Sequence, residues 1–106
     1  MELFKLADMT KGWFVGDFKP SVFSSSEAEV AVKRYKAGDT EAAHFHKVAT
    51  EITLVLDGTV EMCGRRINAG EIVKLAPGEV TPFKAITDVT TVVVKLPSIK
   101  GDKYAA

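Results

Sequence analysis

The sequence predicts an all-β protein, folded as a sandwich or a barrel. Short runs of β-branched and apolar residues recur along its 106 residues, and Gly, Pro, Asp and Asn stand between them. Closely spaced short strands with turn residues between them are typical of such folds. No long stretch shows the 3.6-residue period of a helix. The length allows one hydrophobic core, so we expect a single domain.

Six runs are predicted to form strands, and turn signals such as KAGDT, LDGT, NAG and APGE lie between them. In chain order the runs are WFV (13–15), VAVKRY (30–35), EITLVL (51–56), TVEMC (59–63), EIVKL (71–75) and TTVVVKL (90–96). The segment from Thr90 to Val94 is apolar on both faces, which predicts a central strand covered on both sides. We expect the core of the domain at about residues 28–97. An amino-terminal arm or strand would occupy 1–27, and a tail (98–106) would leave the sheet and fray.

Composition excludes several function classes. The 14 basic and 14 acidic residues cancel, so nothing favours binding to nucleic acid or to an anionic membrane surface. No run of 18 apolar residues predicts a transmembrane helix, and the start, MELFKLADMTKGW, does not read as a signal peptide. The single cysteine, Cys63, cannot form an internal disulfide, which fits a cytoplasmic location.

The only two histidines, His44 and His46, lie in the stretch GDTEAAHFHKVATEITLVLDG (38–58), and Glu51 follows them. In a strand, both imidazoles point to one face and Phe45 to the other. An antiparallel hairpin could bring the Glu51 carboxylate beside them. Two His and one carboxylate form the facial triad of non-haem iron sites, and the same set suits Zn, Mn or Ni. The alternative is that the two histidines are surface or structural groups.

The spacing of Gly38, His44, His46, Glu51 and Gly58 resembles the first motif of the cupin superfamily. The later segment GEIVKLAPGEVTPFKA (70–85) resembles the second cupin motif. The resemblance implies a small jelly-roll β-barrel, the double-stranded β-helix, with its site inside the barrel mouth. It also implies a divalent metal ion (Fe, Mn, Ni or Zn) bound by His44, His46 and Glu51.

The second motif departs from the family pattern at Thr81, where cupins usually have a third histidine. Three alternatives follow. The metal is held by the remaining triad, or Glu79, Asp88 or Cys63 completes the set of ligands, or the site has lost its metal and binds an organic ligand through hydrogen bonds.

Other residues are candidates for a substrate pocket. Arg34 and Tyr35 lie on one strand and point to opposite faces, so one of them should face the interior. Thr81 and Phe83 share a face, and Glu79 is the nearest carboxylate that could act as a base.

The resemblance implies a metal-dependent enzyme acting on a small polar metabolite such as a sugar or a keto or hydroxy acid, for instance as a dioxygenase or an isomerase. One alternative is a metal-free module that binds or senses a small ligand. Another is a metal-free enzyme of the sugar-epimerase kind with a histidine base. We also expect a homodimer, since small cupins often dimerise and an amino-terminal strand is a natural pairing edge. The aromatic residues Trp13, Phe14 and Phe18 would cover the barrel or contact the second subunit.

Overall fold

A computed structural model describes all 106 residues and consists of eleven strands and one short 3-10 helix, Leu6–Asp8. The all-β prediction is confirmed. The strands are β1 (Trp13–Gly16), β2 (Phe23–Ser24), β3 (Glu29–Tyr35), β4 (Thr40–Phe45), β5 (Thr50–Asp57), β6 (Thr59–Met62), β7 (Arg65–Asn68), β8 (Ile72–Leu75), β9 (Thr81–Ala85), β10 (Val89–Leu96) and β11 (Tyr104–Ala105). No helix is both long and apolar enough to cross a lipid bilayer.

The strands form two sheets, with orders β2-β1-β3-β10-β5-β8 and β11-β4-β9-β6-β7. From β3 to β6 the chain alternates between the two sheets, and it does so again from β8 to β11. As a result β4 and β5 lie in different sheets, although they are neighbours in sequence. The expectation that a hairpin brings Glu51 beside the histidines is therefore wrong, because the two strands approach from opposite sheets.

Strand β10 lies at the centre of the six-stranded sheet, hydrogen-bonded to β3 on one side and β5 on the other. Its inner residues Val89, Thr91 and Val93 are buried, whereas Thr90 and Val92 on the outer face are only half-buried. The strand is therefore central, as expected, but it is fully covered on its inner face alone.

The apolar core lies between the sheets. Strand alternation produces this core, because the inward residues of β6 and β9 are buried and the residues between them are exposed. The cluster comprises Val55, Val60, Met62, Ile67, Leu75, Phe83, Ala85 and Val89. Gly58, in the turn between β5 and β6, has φ +90°, and a Cβ atom there would lie 2.2 Å from the Asp88 carbonyl oxygen. Only glycine fits this turn without strain.

The carboxyl-terminal tail leaves the sheet that contains β10, as expected, but it joins the other sheet instead of fraying. Strand β11 pairs antiparallel with β4, with Tyr104 opposite Phe45 and Ala105 opposite His44. The expectation of fraying is wrong because backbone pairing and a buried side chain, Asp102, hold the tail down. The tail therefore lies next to the two histidines.

Candidate metal centre

A β-bulge in β4 sets the direction of the histidine side chains. Glu41 pairs with Phe83 and His44 pairs with Thr81, so two residues of β4 lie opposite one residue of β9. Such a bulge shifts the face to which the following side chains point. Glu41 and His44 consequently both line the interior, although they are three residues apart.

Both histidines are held by backbone carbonyl groups. His44 Nδ1 lies 2.9 Å from the carbonyl oxygen of Ala42, inside the bulge, and His46 Nδ1 contacts the carbonyl oxygen of Asp102. A carbonyl oxygen can only accept, so each Nδ1 carries the proton when the imidazole is neutral. Each Nε2 then presents a lone pair, the arrangement found in metal-binding histidines.

Glu51 reaches the histidines from β5, in the other sheet. Its Oε2 lies 3.6 Å from His46 Nε2. The donor atoms of His44, His46 and Glu51 all lie within 4.8 Å of one another. In a facial set, donor atoms that each lie about 2.0–2.2 Å from one ion are about 3 Å from one another. The three side chains would therefore have to move closer together to bind a cation.

The surroundings of His46 and Glu51 shift the pKa values of these two residues in opposite directions. The nearby Glu51 carboxylate raises the pKa of His46 above its usual value, although burial opposes the shift. Burial alone would raise the pKa of Glu51, but His46 and Lys95 bring it below the usual range. The carboxylate is therefore ionised and available as a ligand near neutral pH.

One observation tests directly whether a metal fits this site. His46 is 6% exposed, and its Nε2 is buried without a hydrogen-bond partner. Buried polar atoms in native proteins are nearly always satisfied, so an unpartnered one requires an explanation such as an ion. A metal bound by Nε2 and the Glu51 carboxylate would satisfy it, so the residues present fit a divalent cation.

The cluster opens into a cavity of about 320 Å³ between the sheets. It is lined by Lys11, Trp13, Lys33, Tyr35, Glu41, His44, His46, Glu51, Thr53, Met62, Thr81, Phe83, Thr91, Val93, Lys95 and Lys103. A cavity of this size suits a small metabolite. A second unpartnered buried atom, Thr91 Oγ1, belongs to a residue of the same lining.

Thr81 lines the cavity, but both hydrogen-bonding roles of its hydroxyl are used by backbone groups. Oγ1 accepts a hydrogen bond of 2.8 Å from the Cys63 N–H and donates one of 2.7 Å to the Pro82 carbonyl oxygen. The hydroxyl thus holds the turn after β6, where Cys63 has φ +53°. The hydroxyl is therefore engaged with backbone groups, whereas His44, His46 and Glu51 form the candidate ligand cluster.

Of the other residues expected in the pocket, Tyr35 and Phe83 line the cavity and their rings lie 4.5 Å apart. Arg34 and Glu79 do not. Arg34 alternates to the outer face of β3 and is exposed, and Glu79 lies in the exposed turn before β9. Asp88 also lies outside the cluster; its carboxylate accepts a hydrogen bond from the Ala37 N–H.

Cys63 is exposed and belongs neither to the ligand cluster nor to the cavity lining.

Of the amino-terminal aromatic residues, Trp13 lines the cavity and meets Phe18 edge to face, with ring centroids 6.4 Å apart. Phe14 lies in a separate apolar groove. Of these aromatic residues, only Trp13 lines the cavity.

The sequence did not predict the polar cluster that Lys33 and Tyr35 of β3 form with Glu41 of β4. Glu41 Oε1 accepts a hydrogen bond of 2.9 Å from the Tyr35 hydroxyl and lies 3.6 Å from the Lys33 ammonium. Burial and the Glu41 carboxylate raise the pKa of Tyr35 well above its usual value, so the phenol stays protonated. Lys33 could have been found from its position, because it shares the face of Tyr35 two residues earlier.

Comparisons with known structures agree with this architecture. A protein with a double-stranded β-helix domain from Klebsiella pneumoniae is 21% identical, with a TM-score of 0.73 over 98% of this chain and 90% of that one. A cupin protein from Bacteroides fragilis is 24% identical, with a TM-score of 0.57 over 71% of both chains. The DMSP lyase DddQ from Ruegeria pomeroyi is 20% identical, with a TM-score of 0.71 over 94% of this chain. This chain spans about half of that lyase (54%).

No protein-family model matches the chain, and no curated protein matches it. The fold and the site together define a protein of the double-stranded β-helix class with a candidate His-His-Glu metal centre. This chain has the double-stranded β-helix fold of the cupins, which is the fold that its resemblance to that superfamily implied.

Proposed function

We propose that this protein is a metal-dependent enzyme of cupin fold that acts on a small polar metabolite, such as a sugar or a keto or hydroxy acid. The observation that carries the proposal is the buried, unpartnered Nε2 of His46, which faces an ionised carboxylate across 3.6 Å. A merely structural histidine would have both ring nitrogens satisfied. Here one nitrogen is fixed by a carbonyl group and the other is left for a ligand.

His44, His46 and Glu51 would hold a divalent ion, Fe, Mn, Ni or Zn. When bound, the ion supplies Lewis-acid polarisation of a substrate carbonyl or hydroxyl group or, if it is iron, activation of dioxygen. Because the Thr81 hydroxyl is engaged with backbone groups, the chain would supply only three donors. More than one coordination position is then available to a substrate, as in facial-triad sites.

The remaining polar groups of the cavity would orient the substrate and handle its protons. Lys33 and Lys95, whose side chains are 20% and 16% exposed, form ion pairs with Glu41 and Glu29 respectively. Their ammonium groups would also interact with a substrate carboxylate. Glu41, which lines the cavity, would accept a proton from a substrate carbon or hydroxyl group. The Tyr35 phenol, which already donates to Glu41, would fix the orientation of that carboxylate.

The proposal is tested by elemental analysis of protein purified without chelators and then reconstituted separately with each metal. We expect near-stoichiometric metal in the wild type and none in His44→Ala. Glu51→Gln should weaken Zn²⁺ binding by more than about 100-fold, beyond the loss usual for residues outside the ligand set. Glu79→Gln is the matched control, because it removes an exposed carboxylate outside the cavity and should bind Zn²⁺ like the wild type.

Oxygen-uptake and isomerase screens with keto acids, hydroxy acids and sugars would follow on the metal-loaded protein. Absence of metal from the reconstituted wild type would overturn the proposal. The same result would favour the metal-free binding module, in which the histidines bind a ligand through hydrogen bonds. Retention of metal by both His44→Ala and Glu51→Gln would place the metal elsewhere and would also refute the triad.

A further inference from the structure

Asp102 is a buried acidic residue without a cationic partner. It is 7% exposed, and its carboxylate accepts hydrogen bonds from three successive backbone N–H groups. The distances are 2.8 Å to Lys47 N, 3.2 Å to Val48 N and 2.9 Å to Ala49 N. Burying a charge is costly unless it is hydrogen-bonded, and successive N–H groups form a concave site that does this.

The segment held by this carboxylate is the loop that joins two of the candidate ligands. Lys47, Val48 and Ala49 lie between His46, which follows the end of β4, and Glu51 on β5. Because β4 and β5 belong to different sheets, this loop sets how closely His46 approaches Glu51. Asp102 therefore fixes the distance between donors that come from the two sheets.

The backbone of the same residue holds the imidazole itself. The Asp102 carbonyl oxygen accepts the hydrogen bond from His46 Nδ1. This contact selects the tautomer that leaves Nε2 free, and it orients the ring. One residue thus acts twice, since its side chain holds the loop and its carbonyl group holds His46.

The tail around Asp102 is attached on the side of the histidines. Tyr104 and Ala105 pair with Phe45 and His44, the Tyr104 ring stacks on Phe45 at 5.5 Å, and Lys103 lines the cavity. Displacing the tail would remove the carbonyl acceptor of His46, a pairing partner of His44 and a cation of the cavity at the same time.

We propose that Asp102 is a positioning residue for the metal centre, so that docking of residues 99–106 and binding of a divalent cation favour each other. This inference rests on the metal site proposed above. Residues that orient metal ligands typically contribute about 10–100-fold to metal affinity, and we expect a loss of this size when the Asp102 side chain is removed. Coupling is reciprocal, so bound metal must stabilise the docked tail by the same factor.

The test measures Zn²⁺ affinity by calorimetry and the His46 tautomer by ¹⁵N NMR, on Asp102→Ala and Asp102→Asn. Asparagine has nearly the same size as aspartate, but its side-chain amide N–H groups would face the backbone N–H donors of residues 47–49. Ser98→Ala is the matched control. Ser98 is also a buried tail residue, and it donates to Glu29 and accepts from Asp17 N, away from the loop of residues 47–49. Its loss should lower the stability without changing Zn²⁺ affinity. Lys100→Ala, at an exposed tail position, should change neither.

We expect both Asp102 variants to bind Zn²⁺ about 10–100-fold more weakly than Ser98→Ala. In the metal-free variants, release of the tail should move the Asp102 carbonyl group away from His46, so that the Nδ1–H tautomer is no longer fixed. Zn²⁺ should slow hydrogen exchange of the Ala106 amide, which donates to the Ala43 carbonyl group, in the wild type but much less in Asp102→Ala. Wild-type affinity and an unchanged tautomer in both folded Asp102 variants would overturn the inference.

Equal loss of affinity in Ser98→Ala would also overturn it, because the effect would then be one of general stability. If the wild type binds no metal at all, the proposed function fails, and the coupling fails with it. The tautomer of metal-free His46 would then still decide whether Asp102 positions the imidazole. If Asp102→Ala does not fold, Asp102→Asn and the hydrogen exchange of the wild type with and without Zn²⁺ give the decision.

Discussion

Replacing Thr81 by valine removes a hydroxyl group while keeping the shape of a buried side chain, which is 4% exposed. The variant loses the acceptor of the Cys63 N–H and the donor to the Pro82 carbonyl oxygen. A typical hydrogen bond contributes about 0.5–1.5 kcal/mol to stability. Water can reach the exposed Cys63, so the low part of that range applies to the first bond. We expect a loss of about 1–2 kcal/mol in the free energy of unfolding.

The assay is urea unfolding together with Zn²⁺ calorimetry on the same preparation. A loss of this size corresponds to a fall in Tm of about 5–15 °C for a small domain. The slope of the unfolding free energy against urea should not change. Zn²⁺ affinity should remain that of the wild type, because the hydroxyl is not a ligand. Full stability with strongly reduced Zn²⁺ affinity would show that Thr81 binds the metal, and would refute our interpretation of its hydrogen bonds.

Three further results are expected. The backbone hydrogen bonds to Asp102 lower the pKa of its carboxyl group against the opposing effect of burial, so its stabilising contribution is present above the unfolded pKa, about 3.9. This contribution is lost as the pH falls through the lower pKa of the folded state. In urea unfolding, the stability difference between the wild type and Asp102→Asn should therefore shrink below about pH 4. A difference that stays constant with pH would contradict this. Phe83→Ala, at a core residue 6% exposed, should cost about 3–5 kcal/mol in urea unfolding, whereas Phe23→Ala at an exposed position should cost far less; similar losses would contradict the assigned core. Finally, we propose that the chain is a homodimer paired along β2, one of the two edge strands of its sheet, where Phe23 is 68% exposed. Light scattering should give twice the 11.5 kDa chain mass for the wild type and a smaller mass for Phe23→Glu; a monomeric wild type would refute it.

Most of the fold could be predicted because period-2 patterning and turn residues act locally. The runs at 51–56 and 90–96 lie within β5 and β10, and Gly58 occupies the turn that its position indicated. The tail could not be predicted from its composition. Its attachment depends on Asp102 meeting backbone donors more than fifty residues away in sequence.

The part of the candidate site that belongs to the first motif could be predicted. His44, His46 and Glu51 lie together, as the cupin resemblance implied. Glu41 was missed because strand alternation places it on the face opposite His44, and only the bulge brings both inward. Glu79 was expected in the pocket because of its place in the second motif, but the turn that ends at this residue exposes it. Long-range pairing and local irregularity decided these cases, and neither leaves a periodic signal in the sequence.

The donors of the candidate centre come from two different sheets, His44 and His46 from the end of β4 and Glu51 from β5. A cation bound there would act as a cross-link between the two halves of the sandwich. Separating the sheets during unfolding would then require its release, so metal would stabilise the whole domain and not the site alone. At a free metal concentration 100 times the dissociation constant, this linkage is worth about 2.7 kcal/mol. The thermal stability of the chain would thus report how much metal its surroundings supply.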